Sequence, residues 1–238
     1  MPVTTANGIR IAYDDTGDEE PALLFLPGWC VNRSVFRDLL SRTSEHCRSL
    51  SLDWPAHGES AASRRDFGSK ELLQTAAAVI EASAADRVVP VALSHSGWVA
   101  LELRRRLGRR IPKLVLLDWL VTEAPADFLE MLPGMQSAEL WKQTVEETLS
   151  MWLHGVDNPD LKRFVQEEIA AYGREMWARA AREISFTPAR INERPVSVWG
   201  GVTFRFKISA EDEKPEKPIA GSISLRSSPT FDYTATRD

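Results

Sequence analysis

Several signatures are missing from this chain, and each absence narrows what it can be. No H-x-x-H, no C-x-x-C and no carboxylate cluster at ligand spacing occurs, nor does G-x-G-x-x-G or a phosphate-binding G-x-x-x-x-G-K-[ST] loop. A site without metal or organic cofactor is therefore expected. Two cysteines, Cys30 and Cys47, are too few for a disulfide framework. No apolar run approaches the roughly 20 residues that a membrane span requires. The first residues carry neither a basic stretch nor an apolar core of the secretory kind. These features predict a reduced, cytoplasmic protein with no membrane contact. A net charge of -5 gives no surface for nucleic acid. The short basic cluster Arg104, Arg105, Arg106, Arg109 and Arg110 reads as the solvated face of a helix.

What is present suits one globular core. The chain has 238 residues, 43% hydrophobic and 26% charged, enough for a sizeable interior with a helical insertion. Its organising stretch is Ala92-Leu93-Ser94-His95-Ser96-Gly97-Trp98, where the apolar run Val88 to Leu93 stops at a serine and small residues follow. A strand-to-helix elbow needs little bulk two residues before and after its serine, because there the strand's end nearly touches the helix's start. Ala92 and Ser96 meet that need, and Gly108 stands where a helix C-cap belongs. The same letters fit a serine N-cap on an ordinary helix, and Pro90 counts against a central strand. The setting favours the elbow.

Gly8 to Tyr13, closed by Asp14-Asp15-Thr16-Gly17, reads as an edge strand and turn. Ala22 to Leu26 is an unbroken apolar run, the mark of a strand buried on both faces, and it ends in Pro27-Gly28-Trp29-Cys30. Val35, Phe36, Leu39 and Leu40 share one side of a short helix. Arg48 to Asp53 is a further strand, followed by Trp54-Pro55-Ala56-His57-Gly58-Glu59-Ser60. Ser69 suits the N-cap of a helix carrying Leu72, Leu73, Ala76, Val79 and Ile80. Leu114 to Leu117 is apolar and stops at Asp118-Trp119. Strands alternating with helices predict a parallel sheet with its site at the strands' carboxyl ends, where Trp29, Trp54, Ser94 and Asp118 all fall.

From Val121 to Arg190 helical patterns dominate, in Glu139 to Leu153 and Asp160 to Ala181, with turn signals at Pro125, Pro133-Gly134 and Asn158-Pro159. This block reads as a cap over the functional edge. Its aromatics, Phe128, Trp141, Trp152, Phe164 and Trp177, suit a small core of the cap's own or the faces that hold a planar aromatic ligand. Arg194 to Trp199 resumes a strand pattern; beyond Gly201 neither a buried strand nor an amphipathic helix is visible, and an irregular tail is expected. The expected organisation is an α/β core over 1–120, a helical cap over 121–190, a core strand over 191–202 and an atypical tail over 203–238.

Together these features resemble the α/β-hydrolase fold, a mostly parallel sheet flanked by helices. The finer resemblance is to the cofactor-independent 2,4-dioxygenases of 3-hydroxy-4-oxoquinolines, on Pro27-Gly28-Trp29-Cys30, Ser94-His95 with Gly97-Trp98-Val99, Leu117-Asp118-Trp119-Leu120, Trp152-Leu153 to Gly155, Tyr172-Gly173 and Trp177. It runs from about Ala22 to Trp199. The resemblance implies ring cleavage of a 3-hydroxy-4-quinolone by dioxygen, with release of carbon monoxide and an N-acylanthranilate, in quinolone degradation and quorum quenching. It implies that Ser94 hydrogen-bonds the substrate, that Asp118 orients and charge-stabilises a basic histidine, and that the Trp29 and His95 N–H groups form an anion hole. It further implies that Trp29, Trp152 and Trp177 pack the substrate's faces, beside His95. The partners implied are a small aromatic substrate and dioxygen, with the chain a monomer or weak dimer.

The chain has four histidines. His57 belongs to a loop motif that is structural in this fold, His46 precedes a strand, His154 lies in the cap, and His95 follows the serine. Family members carry histidines where this chain has Val31 and Leu93. The fold places its base after the last strand, yet no histidine follows His154. Residues after about Gly201 are accordingly expected to be a truncated, frame-shifted or fused C-terminus, with the base missing or replaced by His95 or His154. Two other readings share the same fold: a serine hydrolase of an ester, lactone or amide with Ser94 as nucleophile, and a binding protein that lacks the base.

Overall fold

Six strands form the sheet because each apolar run can satisfy its backbone only by pairing with another. They are β1 (Val3–Ala6), β2 (Ile9–Thr16), β3 (Ala22–Leu26), β4 (Ser49–Leu52), β5 (Val88–Leu93) and β6 (Val115–Leu117), in the order β1-β2-β4-β3-β5-β6. The computed structural model describes residues 2–44, 46–63, 66–118, 126–185, 190–191 and 194–195, all within the compact unit Met1–Ser197. β1 and β2 pair antiparallel, as do β2 and β4; β4, β3, β5 and β6 run parallel. The true edge strand is β1, which pairs with β2 across the Asn7-Gly8 turn, so β2 is longer than expected and lies one place further in. Pro90 does sit in a central strand. The β6 ladder begins only at Val91, so the missing N–H of Pro90 removes no bond to β6.

The helices follow the apolar spacing. α1 (Arg37–Thr43) continues a 3₁₀ turn at Arg33–Phe36, α2 (Ser69–Ala82) buries Leu72, Leu73, Ala76, Val79 and Ile80, and α3 (Ser96–Leu107) ends at Gly108. Ser69, expected as the N-cap of α2, is its first helical residue; Gly68 takes the cap position and donates its N–H to the Glu71 carboxylate at 2.9 Å. The serine hydroxyl is engaged elsewhere, as described below. On α3, Glu102 pairs with Arg105 at 2.6 Å and Arg106 at 2.9 Å, which gives the basic cluster the solvated, ion-paired face expected of it.

The segment from 126 to 185 holds α4 (Ala126–Gln136), α5 (Trp141–Trp152), α6 (Pro159–Phe164), a wider π turn at Val165–Ile169 and α7 (Arg174–Ser185). Two expectations fail here. Pro133-Gly134, read as a turn, lies inside α4. An interior proline costs about 3 kcal/mol, but α4 buries Leu132 and Met135 against its neighbours, and two such side chains recover about 3–6 kcal/mol. The pattern Asp160 to Ala181 is two helices, because the chain turns at Tyr172-Gly173 before α7 begins. α4 packs on α5 and α7, and their buried residues join those of the sheet in one apolar cluster. Arg190–Ile191 and Arg194–Pro195 pair antiparallel; the rest of the strand expected there, and the tail 203–238, lie outside the described residues. Among the described residues no helix is long and apolar enough to cross a membrane.

Between β4 and α2 the loop is held by one buried carboxylate. Asp53 accepts from the Arg33 N–H at 2.8 Å, from the Arg33 guanidinium and from the Glu59 N–H at 2.9 Å. Gly58 passes against it at φ +49, where an added Cβ would lie 2.3 Å from a carboxylate oxygen. Gly58→Ala is expected to lower unfolding stability by about 2–4 kcal/mol, through left-handed strain and displacement of a buried ion pair. Urea denaturation measures this, and a loss below about 1 kcal/mol would show that Asp53 can move away freely.

Candidate active site

The site is built where β3, β4, β5 and β6 end side by side. Ser94 sits between β5 and α3 at φ +54, a left-handed conformation that a serine adopts only under constraint. Its N–H donates to the Leu117 carbonyl at 2.9 Å, and its own carbonyl accepts from the Gly97 N–H at 3.0 Å. The elbow is thus pinned to the end of β6, one residue before Asp118. Asp118 is also left-handed, at φ +47, and both side chains are exposed. Its carboxylate has no ion-pair partner among the described residues.

A single carbonyl fixes the opposite wall. Pro27 O accepts from Trp54 Nε1 at 2.6 Å and from the Ser96 hydroxyl, which ties the turn after β3 to the end of β4 and to the start of α3. Trp54, read only as an aromatic at a strand end, is fully buried by this bond. The next residues carry the ligand-facing groups of the resemblance. Neither the Trp29 nor the His95 backbone N–H donates to another described residue, whereas the Cys30 N–H donates to His57 Nε2 at 3.1 Å.

Three aromatic rings meet Trp29. Phe67 stacks on it at a centroid distance of 5.7 Å, His95 lies tilted at 5.8 Å and His57 at 6.0 Å. Arg179 of α7 covers Phe67 at 4.2 Å from the ring centre, a cation–π contact that brings α7 to this cluster. Trp177 is 3% exposed and faces Trp152 with centroids 6.3 Å apart, while Trp152 is 42% exposed. The indole N–H groups of Trp29 and Trp177 are buried without a hydrogen-bond partner among the described residues. Two clefts outlined by described residues are centred on ion pairs rather than on Ser94. One of about 330 Å³ belongs to the Arg33, Asp14 and Glu59 ion pairs, the other to Asp66, Arg174 and Arg182. Among the described residues no three His, Cys, Asp or Glu side chains gather to hold a metal.

The two buried histidines are fixed in opposite ways. His57 accepts through Nε2 from Cys30, so its proton is on Nδ1, which donates to the Pro55 carbonyl at 2.9 Å. That makes it the structural histidine expected of its loop. His95 directs Nε2 to the Ser69 hydroxyl at 3.0 Å, and Ser69 donates in turn to Glu183 of α7 at 2.7 Å. Phe67, Ser69, Arg179 and Glu183 were not read as site residues. No local pattern marks them, because Ser69 and Glu183 lie 114 residues apart. His46 and His154 are exposed. Val31, at a position where the family carries histidine, is buried.

Burial pushes both histidines down from their ordinary 6.5 to about 4, with the Glu183 charge partly opposing the shift at His95. Burial also pushes the Cys30 thiol up, so it stays protonated at neutral pH. A histidine whose folded pKa is depressed binds fewer protons than the unfolded chain between pH 6.5 and about 4. Stability is therefore fully present above about 6.5 and is lost as pH falls, by up to about 1.4 kcal/mol per pH unit for each ring. Thermal unfolding followed from about pH 7 down to about pH 4.5 should show a Tm that drops below about pH 6.5. Histidine ring NMR should find His57 and His95 still neutral near pH 5, and titration of either near its ordinary value would contradict this burial.

The comparisons agree with this geometry. The model of the α/β hydrolase family matches residues 23–226, which extends the likeness past Trp199, where the motifs had ended it. A 2-heptyl-3-hydroxy-4(1H)-quinolone dioxygenase of Mycobacteroides abscessus is 32% identical over 209 residues, 87% of this chain and 75% of its own. The 1H-3-hydroxy-4-oxoquinoline 2,4-dioxygenase of Pseudomonas putida is 28% identical over 92% of this chain and 78% of its own. The solved structure of AqdC, described for recognition and ring cleavage of the Pseudomonas quinolone signal, superposes with a TM-score of 0.74 at 34% identity, covering 78% of this chain and 71% of that one. With its elbow, its strand order and these relatives, the chain belongs to the α/β-hydrolase family, on the branch that holds the 3-hydroxy-4-quinolone dioxygenases.

Proposed function

We propose that this chain is a ring-cleaving dioxygenase of 3-hydroxy-4(1H)-quinolones that works without metal or organic cofactor. The elbow by itself would serve an esterase equally well. What carries the reading is the kinship: a relative 32% identical over 87% of the chain is a quinolone dioxygenase.

Proton removal from the 3-hydroxyl leaves an electron-rich anion that reacts directly with dioxygen. One oxygen atom ends on C2 as the amide carbonyl and the other on C4 as the carboxylate. The C2–C3 and C3–C4 bonds break, and C3 leaves with its own oxygen as carbon monoxide. Atoms and electrons balance with dioxygen as the only oxidant. The proton passes to a base, and the product is an N-acylanthranilate.

Each residue has a role in that sequence. Ser94 donates to a substrate oxygen, and the N–H groups of Trp29 and His95, which have no partner among the described residues, meet the developing negative charge. Trp29, Trp152 and Trp177 hold the bicyclic ring. Asp118 stabilises the protonated base at the strand edge. His95 and His154 are the two candidates for that base within this chain, and single alanine substitutions separate them.

Incubation with 2-heptyl-3-hydroxy-4(1H)-quinolone in air should consume dioxygen and release carbon monoxide, beside a p-nitrophenyl ester control. Turnover of the ester alone would refute the assignment. Ser94→Ala should lower quinolone kcat/KM by about 10- to 100-fold, the worth of one hydrogen bond to a charged group. Loss of some six orders of magnitude, as for a nucleophile acting within a triad, would instead mark Ser94 as the attacking group.

A further inference from the structure

A carboxylate, a hydroxyl and an imidazole stand in line across three elements: Glu183 on α7, Ser69 on the first turn of α2 and His95 on the elbow. Ser69 Oγ lies 2.7 Å from Glu183 Oε2 and 3.0 Å from His95 Nε2, and the Ser69 N–H also donates to Glu183 at 2.8 Å. The carboxylate is seated directly over Gly68, where an added Cβ would lie 2.4 Å from its Oε1.

Donor arithmetic sets the direction of the line. An ionised carboxylate only accepts, so the single proton of the Ser69 hydroxyl goes to Glu183. The oxygen then has only lone pairs left for the ring, and Nε2 of His95 must carry the proton. His95 is held in the Nε2–H tautomer, opposite to His57.

We propose that Glu183 and Ser69 are positioning residues that lock the tautomer and orientation of His95, and through it the Ser94–His95 peptide, so that docking of α7 sets the anion hole. The inference rests on the quinolone dioxygenase reading only for its consequence in turnover. The lock itself is a property of the free chain. A helix cap would account for the Ser69 N–H bond to Glu183 but not for the bond to the ring. The two roles therefore differ in what they do to His95.

The test uses the full 238-residue chain with ¹⁵N-labelled histidine. At neutral pH, long-range ¹H–¹⁵N spectra should show His95 protonated on Nε2 and His57 on Nδ1, with His95→Asn used to assign the signal. Ser69→Ala should release His95 into a mixture of tautomers, and Ser69→Thr should keep it locked. Glu183→Gln, whose amide can donate to the Ser69 oxygen and turn its proton toward the ring, should shift His95 toward Nδ1–H. Gly68→Ala, which displaces the carboxylate, should do the same. In quinolone turnover, Ser69→Ala should lower kcat about 10- to 100-fold, as small misplacements of catalytic donors do, with Ser69→Thr restoring it.

An unchanged His95 tautomer in folded Ser69→Ala and Glu183→Gln chains would overturn the proposal, even if activity fell. Absence of quinolone turnover in every variant, wild type included, would instead overturn the dioxygenase reading and leave the tautomer result to stand or fall alone.

Discussion

The carbonyl of Pro27 is the point on which the site depends. It follows directly on the buried strand β3, and it receives Trp54 Nε1 from the loop after β4 and the Ser96 hydroxyl from the first turn of α3. Three strand ends are thereby held around one oxygen in the interior, where each bond is strong and leaving one unmade would be costly. The left-handed Ser94 follows from that clamp. With Ser96 fixed to Pro27 and the Ser94 N–H fixed to β6, the intervening residues have no freedom to relax.

Around this clamp the electrostatics divide into two halves. One side of the loop after β4 is ionic, with Arg33 paired to Asp53, Asp14 and Glu59. The other side is aromatic, with Phe67, His57 and His95 each packed against Trp29 and both imidazoles kept uncharged by burial. The ionic half makes the wall rigid. The aromatic half is suited to an aromatic anion, because hydrogen-bond donors there act in a low dielectric, with the Arg179 guanidinium over Phe67 as a nearby positive charge.

α7 meets that aromatic half through its side chains. Arg179 covers Phe67, Glu183 reaches Ser69, and Trp177 is buried in the same apolar cluster as Trp29. One helix therefore contributes an aromatic face, a cation over an aromatic ring and a carboxylate that orients a histidine. Its Trp177 faces Trp152 at the end of α5, so α5 and α7 share the aromatic wall.

The sequence by itself determined the central strands and the elbow, but not the edge strand β1. Strands buried on both faces read as unbroken apolar runs, so Ala22–Leu26 and Val88–Leu93 were legible to the residue, and the small side chains flanking Ser94 are a local steric demand. Only the tertiary structure decided that Pro133 lies in a helix, because burial of Leu132 and Met135 outweighs a local preference that the letters show alone. It alone decided that Ser69 is a link rather than a cap. A hydroxyl bonds whichever partner the packing delivers, and Glu183, 114 residues away, carries no local mark of that meeting. The tautomer of His95 is decided at the same level, since it follows from the direction of a hydrogen bond between three elements that touch only in the folded chain.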